Sequence, residues 1–249
     1  MSGMLNGKIA VITGGTAGIG LATATRFVAE GAQVVIVGRR QAELDKAVAD
    51  LGVAATGVRA DISDLRDLER LYKEVARKHG RVGVLVANAA ILEPEEMGSI
   101  TEDSVDRMLA INLKGLVHSV QGALPLIADG GSIVITSSAD AINGGAGRSV
   151  YAATKAAARN LARSWFVELA DRGIRVNAVS PGTTETPGLA ALGAHMRPDE
   201  FFAVLAGQSP VGRNIKPDEV AAVIAFVASD QASGINGADI PVDAGLAQI

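Results

Sequence analysis

Seven short β-branched runs alternate with longer stretches of helical period along this chain of 249 residues, and that alternation leaves few folds open. The runs are Ile9–Ile12, Gln33–Val37, Ala55–Arg59, Val82–Ala87, Ser132–Thr136, Arg175–Val179 and Ala238–Val242; the helical stretches fall near 18–30, 41–51, 64–79, 101–128, 150–171 and 216–229. Strand–helix alternation implies right-handed crossovers and a parallel sheet. We therefore expect an α/β fold: one doubly wound parallel sheet of about seven strands, helices on both faces, in a single domain over 1–249. The apolar mass supports this. It is 48% of the residues but only 3% aromatic, so Ala, Val, Ile and Leu dominate, as in strands covered on both sides by close-packed helices.

One stretch breaks the rhythm. Between Pro181 and about Pro217 the chain is rich in Gly, Thr and Pro, with room for one or two short helices around 186–206. Long irregular insertions in compact domains are usually functional or mobile, and a tolerated surface loop carries equal weight on composition alone. Its place after the sixth strand, where open α/β folds bind ligands, favours a lid at about 182–215. The net charge of −4 and the lack of a Lys/Arg run make nucleic acid and anionic membrane poor partners. There is no cysteine, which excludes disulfides and fits a reducing compartment. His79, His118 and His195 are scattered without a ligand spacing, so no metal is expected. Met1 to Lys8 lacks the pattern of a secretory signal, and no apolar run is long enough to span a bilayer, so a cytoplasmic location is expected.

The first strand runs directly into Thr13-Gly14-Gly15-Thr16-Ala17-Gly18-Ile19-Gly20 and then a helix. Glycines spaced as G-x3-G-x-G permit a tight turn and close approach of a pyrophosphate, which the helix N-terminus then holds through free N–H groups. A glycine cluster alone is weak evidence; its position between first strand and first helix makes it strong. The second strand ends at Gly38-Arg39-Arg40. In dinucleotide folds an acid at this tip binds the ribose hydroxyls of NAD, whereas guanidinium groups favour a 2′-phosphate. NADP(H) is therefore expected, with Arg39 ahead of Arg40. The competing reading is two exposed arginines opening the next helix.

Tyr151 and Lys155 stand at i and i+4, with Ser138 thirteen residues before the tyrosine. On a helix the two share a face, and an ammonium beside a phenol favours the phenolate. Such a tyrosine can pass a proton near neutral pH, with the serine as a second hydrogen bond to the reacting oxygen. Alone, Tyr-x3-Lys is common on exposed helices, and a surface pair would be the preferred reading.

Together these motifs resemble the short-chain dehydrogenase/reductase family, with the likeness running along essentially the whole chain. Thr13-Gly14, Gly18-Ile19-Gly20, Ser138, Tyr151, Lys155, Asn112 in Ile111-Asn112-Leu113, Asp61 in Ala60-Asp61-Ile62, and Val176 to Gly182 match its motifs. The resemblance implies a Rossmann fold and an oxidoreductase. Tyr151 would be general acid or base, Lys155 would lower its pKa and bind the nicotinamide ribose, Ser138 would polarise the carbonyl, and Asn112 would hold a relay water. A mid-helix Asn could equally be an ordinary exposed residue. Cofactor contacts are implied for Gly14, Thr16, Gly18, Ile19, Gly20, Arg39, Arg40, Asp61, Ile62, Asn88, Tyr151, Lys155, Pro181, Gly182, Thr184 and Thr186. Family members pair their long small-residue helices, here near 101–128 and 150–171 with Ala152, Ala153, Ala156 and Ala157, so a homotetramer is implied.

The chain is most similar to bacterial NADPH-dependent alcohol dehydrogenases, or carbonyl reductases, acting on bulky ketones and secondary alcohols. The same chemistry would serve a sugar or polyol dehydrogenase or a 3-oxoacyl reductase, although the latter would want a basic docking patch and only Arg148 stands near the pocket. A non-catalytic NADP-sensing protein is the rival from another class. The substrate pocket is expected between Ser138–Gly145, Ile91–Glu93 and the lid, where Leu189, Phe201, Phe202 and Leu205 could serve either as contacts or as packing. Two departures stand out. Asn-Asn-Ala-Gly is replaced by Ala87-Asn88-Ala89-Ala90, with a methyl at 90 expected to constrain the backbone. Val-Asp-Gly-Gly is replaced by Val242-Asp243-Ala244-Gly245, expected to matter little.

Overall fold

The apolar strands pair in the order β3-β2-β1-β4-β5-β6-β7, all parallel. The computed structural model describes residues 3–248; Met1, Ser2 and Ile249 of the expected 1–249 domain lie outside the described residues. The strands are β1 Ile9–Thr13, β2 Gln33–Gly38, β3 Ala55–Arg59, β4 Val82–Ala87, β5 Ile127–Thr136, β6 Arg175–Pro181 and β7 Asp239–Val242. The helices are α1 Gly18–Ala29, α2 Gln41–Leu51, α3 Leu65–His79, α4 Glu102–Met108, α5 Leu116–Ala123, α6 Ser149–Glu168, α7 Pro187–Leu192, α8 Pro198–Ala206 and α9 Pro217–Ala228. The order reverses between β1 and β4, and the crevice at such a switch point is where ligands of this architecture bind.

Period-2 alternation divides the strand side chains between two cores. On one face Val11, Val35, Leu85, Ile133 and Val176 pack beneath Leu68, Leu71 and Tyr72 of α3, Leu116 and Val120 of α5, and Ala158 and Ala162 of α6. On the other, Ala10, Ile12, Ile36, Val86 and Val134 meet Phe27 of α1, Leu44 of α2 and Ile224 of α9. Fully burying a side chain such as Leu71 or Phe27 is worth about 1.5–3 kcal/mol, so losing either face would unfold the sheet.

The structure corrects the expected helix over 101–128. Helix α5 stops at Ala123, and β5 begins at Ile127, five residues before the expected Ser132. Ile127 pairs with Val82, the register then shifts, and Gly130 takes φ +77° to carry the bulge through Ala128-Asp129-Gly130-Gly131. Apolar Leu124, Leu126 and Ile127 continue a helical pattern in the sequence, and only tertiary pairing with β4 turns the last of them into strand. Between α4 and α5, Leu109–Gly115 is π-helical, and Asn112 lies in this segment. Such segments often mark functional sites. No described helix is long and apolar enough to cross a membrane.

Candidate active site

A cleft of about 510 Å³ opens at the carboxyl ends of the strands. Its wall carries Gly14, Gly18, Ile19 and Asn88 at one end and Ser138, Tyr151 and Lys155 at its centre, with Pro181, Gly182, Thr184 and Thr186 beside them. Thr16, Gly20, Arg39, Arg40, Asp61, Ile62 and Asn112, also expected at the site, lie behind or beyond this wall.

The glycine end is built from backbone. Gly14 and Gly18 hold φ of +67° and +53°, where a side chain is strained. A Cβ on Gly20 would run into the Gly14 carbonyl oxygen, so this helix can enter the turn only through glycine. The Asn88 amide donates to the carbonyls of Thr13 (3.1 Å) and Gly14 (3.3 Å), while the Thr13 hydroxyl accepts from the Asn88 and Ala89 N–H groups. That network welds the ends of β1 and β4 under the turn. Helix α1 starts at Gly18 behind the N-cap residue Ala17, with no side-chain cap and no acid in its first turn. Its first N–H groups and positive dipole end are thus free for an anion. A bare glycine cradle above an uncapped helix fits the pyrophosphate of a dinucleotide.

At the adenosine end the fit comes from side chains. Thr16 packs over Gly38, whose missing Cβ makes room for its methyl. Arg39 lies 3.7 Å from the Asp61 carboxylate, and Asp61 also accepts from the Ser63 amide and hydroxyl. Arg40 is not in the cleft wall: it stands at the N-cap position of α2 without capping it and pairs with Glu43 one turn on. Ile62, expected as a contact, is buried and packs against Gly115 of the π-helical segment.

At the centre, Ser138 and Tyr151 line the same wall, the serine at the end of β5 and the tyrosine in the first turn of α6. Lys155 is one turn further in and 5% exposed. Its ammonium lies 5.7 Å from the Tyr151 ring centre and donates to the Thr136 carbonyl at 2.8 Å. Burial holds the Lys155 pKa down to about 8. The phenol departs from the sequence expectation, because burial pushes Tyr151 up to about 12; the facing Ser138 hydroxyl pulls it down, Asp140 raises it and Arg148 lowers it. Lys155 faces the Thr136 carbonyl, and desolvation dominates both groups.

For Asn112 the structure decides against the exposed-residue reading: the residue is buried. Its Oδ1 accepts from the Ile91 N–H at 2.8 Å, and its Nδ2 donates to the Ile91 carbonyl at 2.8 Å and to Thr154 Oγ1 at 3.2 Å. The amide therefore stitches α6 to the loop after β4: both Nδ2 hydrogens are engaged, and Oδ1 keeps one acceptor site. Thr184 turns its hydroxyl onto the Gly182 carbonyl, and Thr186 caps α7 through the Leu189 N–H.

Of the expected substrate contacts, Ile91, Leu189 and Leu205 line the cleft. Phe201 and Phe202 do not: their rings pair at 5.6 Å, and Phe201 packs on Gly193 between α7 and α8. Glu93 is drawn outward by Arg107. Leu92 falls within the expected Ile91–Glu93 region and Leu192 and Gln208 within the expected lid; sequence reasoning missed Leu246, which joins the wall from the C-terminal segment, and the pairing of Asp140 with Arg148. Only Arg148 gave a signal, through its place just before Tyr151.

Comparison with known proteins agrees. The family model described as enoyl-(acyl carrier protein) reductase matches residues 14–247. The chain belongs to the short-chain dehydrogenase/reductase family. It is 45% identical to an oxidoreductase of Sarocladium schorii, over 98% of each chain. Identity to the meso-2,3-butanediol dehydrogenase of Serratia marcescens is 40%, over 96% of this chain and 94% of that protein. Among solved structures, the 3-ketoacyl-(acyl-carrier-protein) reductase of Brucella melitensis complexed with NADH superposes with a TM-score of 0.89 at 32% identity, covering 98% of this chain and 99% of that one. Oxidoreductase chemistry with a nicotinamide cofactor follows from this membership and from the cradle above.

Proposed function

We propose that this protein is an NADPH-dependent reductase of ketones, running in reverse as a secondary-alcohol dehydrogenase. The observation that carries the reading is the convergence of the Ser138 and Tyr151 hydroxyls and buried Lys155 in one cleft with the glycine cradle. The cofactor supplies the hydride that adds to the carbonyl carbon. Tyr151 donates its proton to the carbonyl oxygen as the C–H bond forms, while Ser138 donates a hydrogen bond to the same oxygen. A phenol near 12 stays protonated at working pH, yet it is a much stronger acid than the alcohol it helps to form. Reduction is therefore the direction these electrostatics favour, and oxidation, which needs the phenolate, should gain with rising pH. Lys155, with a pKa near 8, is charged at neutral pH and would use the N–H groups not held by the Thr136 carbonyl to bind a ribose hydroxyl and replace the proton on Tyr151. The Asn112 amide acts by holding Ile91 in the cleft wall and, through Thr154, the first turn of α6.

Arg39, half-exposed beside the adenosine end, is the residue we assign to a 2′-phosphate; Arg40 reaches it only by leaving Glu43. The segment 182–215 with α7 and α8 would close over the substrate, Leu189, Leu192 and Leu205 forming its apolar underside. The exposed small face of α6, with Ala153 and Ala156, suits pairing of subunits into a homotetramer in the cytoplasm, which light scattering would test. The reaction itself is tested by following reduced-cofactor absorbance with a panel of ketones and alcohols and both nicotinamide cofactors. Oxidation of NADPH by an aryl or cyclic ketone is expected; no turnover of any member in either direction would sink the reading.

A further inference from the structure

Among the described residues, Asp140 and Arg148 form the one ion pair in the cleft wall. Asp140 follows Ser138 by two residues, and Arg148 precedes Tyr151 by three, at the start of α6. The pair therefore flanks the two hydroxyls that would hold the reacting oxygen, and both charges are close enough to bias the Tyr151 phenol in opposite directions. Arg148 Nη1 and Asp140 Oδ1 stand 3.3 Å apart. The Asp140 side chain is only 13% exposed, and its carboxylate gains no hydrogen bond from the ion pair or from any other group. The guanidinium lies close against Gly145, where any side chain would displace it. Apart from Gln208, the neighbouring wall is apolar, with Ile91, Leu92, Leu189, Leu192 and Leu205.

A half-buried ion pair with unused hydrogen-bonding capacity costs desolvation energy when an apolar group covers it, unless a ligand makes the missing bonds. A hydroxyl can do so on both sides at once, donating to the carboxylate and accepting from the guanidinium. A carboxylate would satisfy Arg148 but would set its charge against Asp140. We propose that Asp140 and Arg148 together recognise a hydroxyl on the carbon next to the reacting carbonyl, so that the substrates are α-hydroxyketones and the products vicinal diols. This rests on the ketone-reductase reading above and names its substrate class.

The test compares kcat/KM for cyclohexanone, 2-hydroxycyclohexanone and 3-oxocyclohexanecarboxylate in the wild type and in Asp140→Leu, Arg148→Leu and Arg148→Lys. The ratio within each variant is independent of how much of it folds. We expect the wild type to prefer the hydroxyketone by about tenfold or more, as sites built to hydrogen-bond a hydroxyl discriminate against its absence. Each leucine variant should bring that ratio to within about threefold of unity, and Arg148→Lys should keep part of it. Equal use of the two neutral ketones by the wild type, or a ratio unmoved in both leucine variants, overturns this inference and leaves the reductase reading standing. Preference for the carboxylate overturns it in favour of an anion site at Arg148. If none of the three ketones is reduced and no alcohol is oxidised, the reductase reading falls and this inference with it.

Discussion

The two ends of the cleft are made of different material. At the cradle end, the contacts are peptide groups: the uncapped N–H groups of α1, two glycines at positive φ and carbonyls pinned by the Asn88 amide. At the other end they are side chains gathered from the loop after β4, the β5–α6 connection, the segment carrying α7 and α8, and the C-terminal Leu246. Tyr151, Ser138 and Lys155 stand between. Backbone geometry tolerates few sequences, whereas a wall of side chains can be rebuilt residue by residue. The first end should fail all at once when broken, and the second should shift its preference.

The centre should show the largest effect and separate chemistry from binding. Replacing Tyr151 with phenylalanine removes the hydroxyl we propose as proton donor and leaves the glycine cradle untouched. We expect kcat to fall by about 10²–10⁴-fold, the usual worth of a positioned acid, with NADPH affinity by fluorescence titration changed only slightly. A variant with near-normal kcat would move the proton donor elsewhere.

Next comes Lys155, where the two ends meet at a buried charge. Its folded pKa near 8 lies below the ordinary 10.5, so between these values the unfolded chain holds a proton that the folded protein has released. Stability contributed by this group therefore rises with pH through that window, by an amount on the order of 2–3 kcal/mol. Urea denaturation of wild type and Lys155→Met should show the difference between them shifting toward the wild type from pH 7.5 to pH 10. A pH-independent difference would mean that the ammonium is better solvated than its burial indicates.

Cofactor choice probes the one part of the cradle end that depends on side chains. Arg39→Ser should weaken NADPH by about 10–100-fold, the worth of a charged hydrogen-bonded contact, with little change for NADH. Arg40→Ser should do less, because that guanidinium is engaged with Glu43. Equal losses with both cofactors would assign Arg39 to fold stability through Asp61 instead.

What the sequence disclosed follows the same division. Strand alternation placed all seven strands, because each buries one side-chain set on each face and a shifted register would expose it. The glycine turn was legible since Gly20 and Gly14 leave no room for a Cβ. The start of β5 was not, because Ile127 continues a helical pattern and becomes strand only by pairing with Val82. At the site, spacing brought Tyr151 and Lys155 to one face but said nothing of where the ammonium would turn. Burial and the Thr136 carbonyl decided that. The burial of Asn112 was not legible either, since its amide partners come from Ile91 and Thr154, distant in sequence.

The smallest effect concerns the two family departures, whose weights the structure reverses. Ala90, expected to constrain the backbone, keeps a negative φ, whereas Ala244 is the one described non-glycine residue at positive φ, 54°. A left-handed conformation costs an L-residue roughly 1–2 kcal/mol, partly offset by the methyl's packing and by the greater unfolded-state freedom of glycine. Ala244→Gly should therefore stabilise the protein by about 0.5–1 kcal/mol in urea denaturation, while Ala90→Gly should leave it unchanged or slightly weaker. Because Gly182 packs against the neighbouring Asp243, the relief at 244 acts on the strand edge from which the segment with α7 and α8 departs. An Ala244→Gly protein that is less stable than wild type would mean that the methyl's contact with the β7 side of the core outweighs the backbone strain.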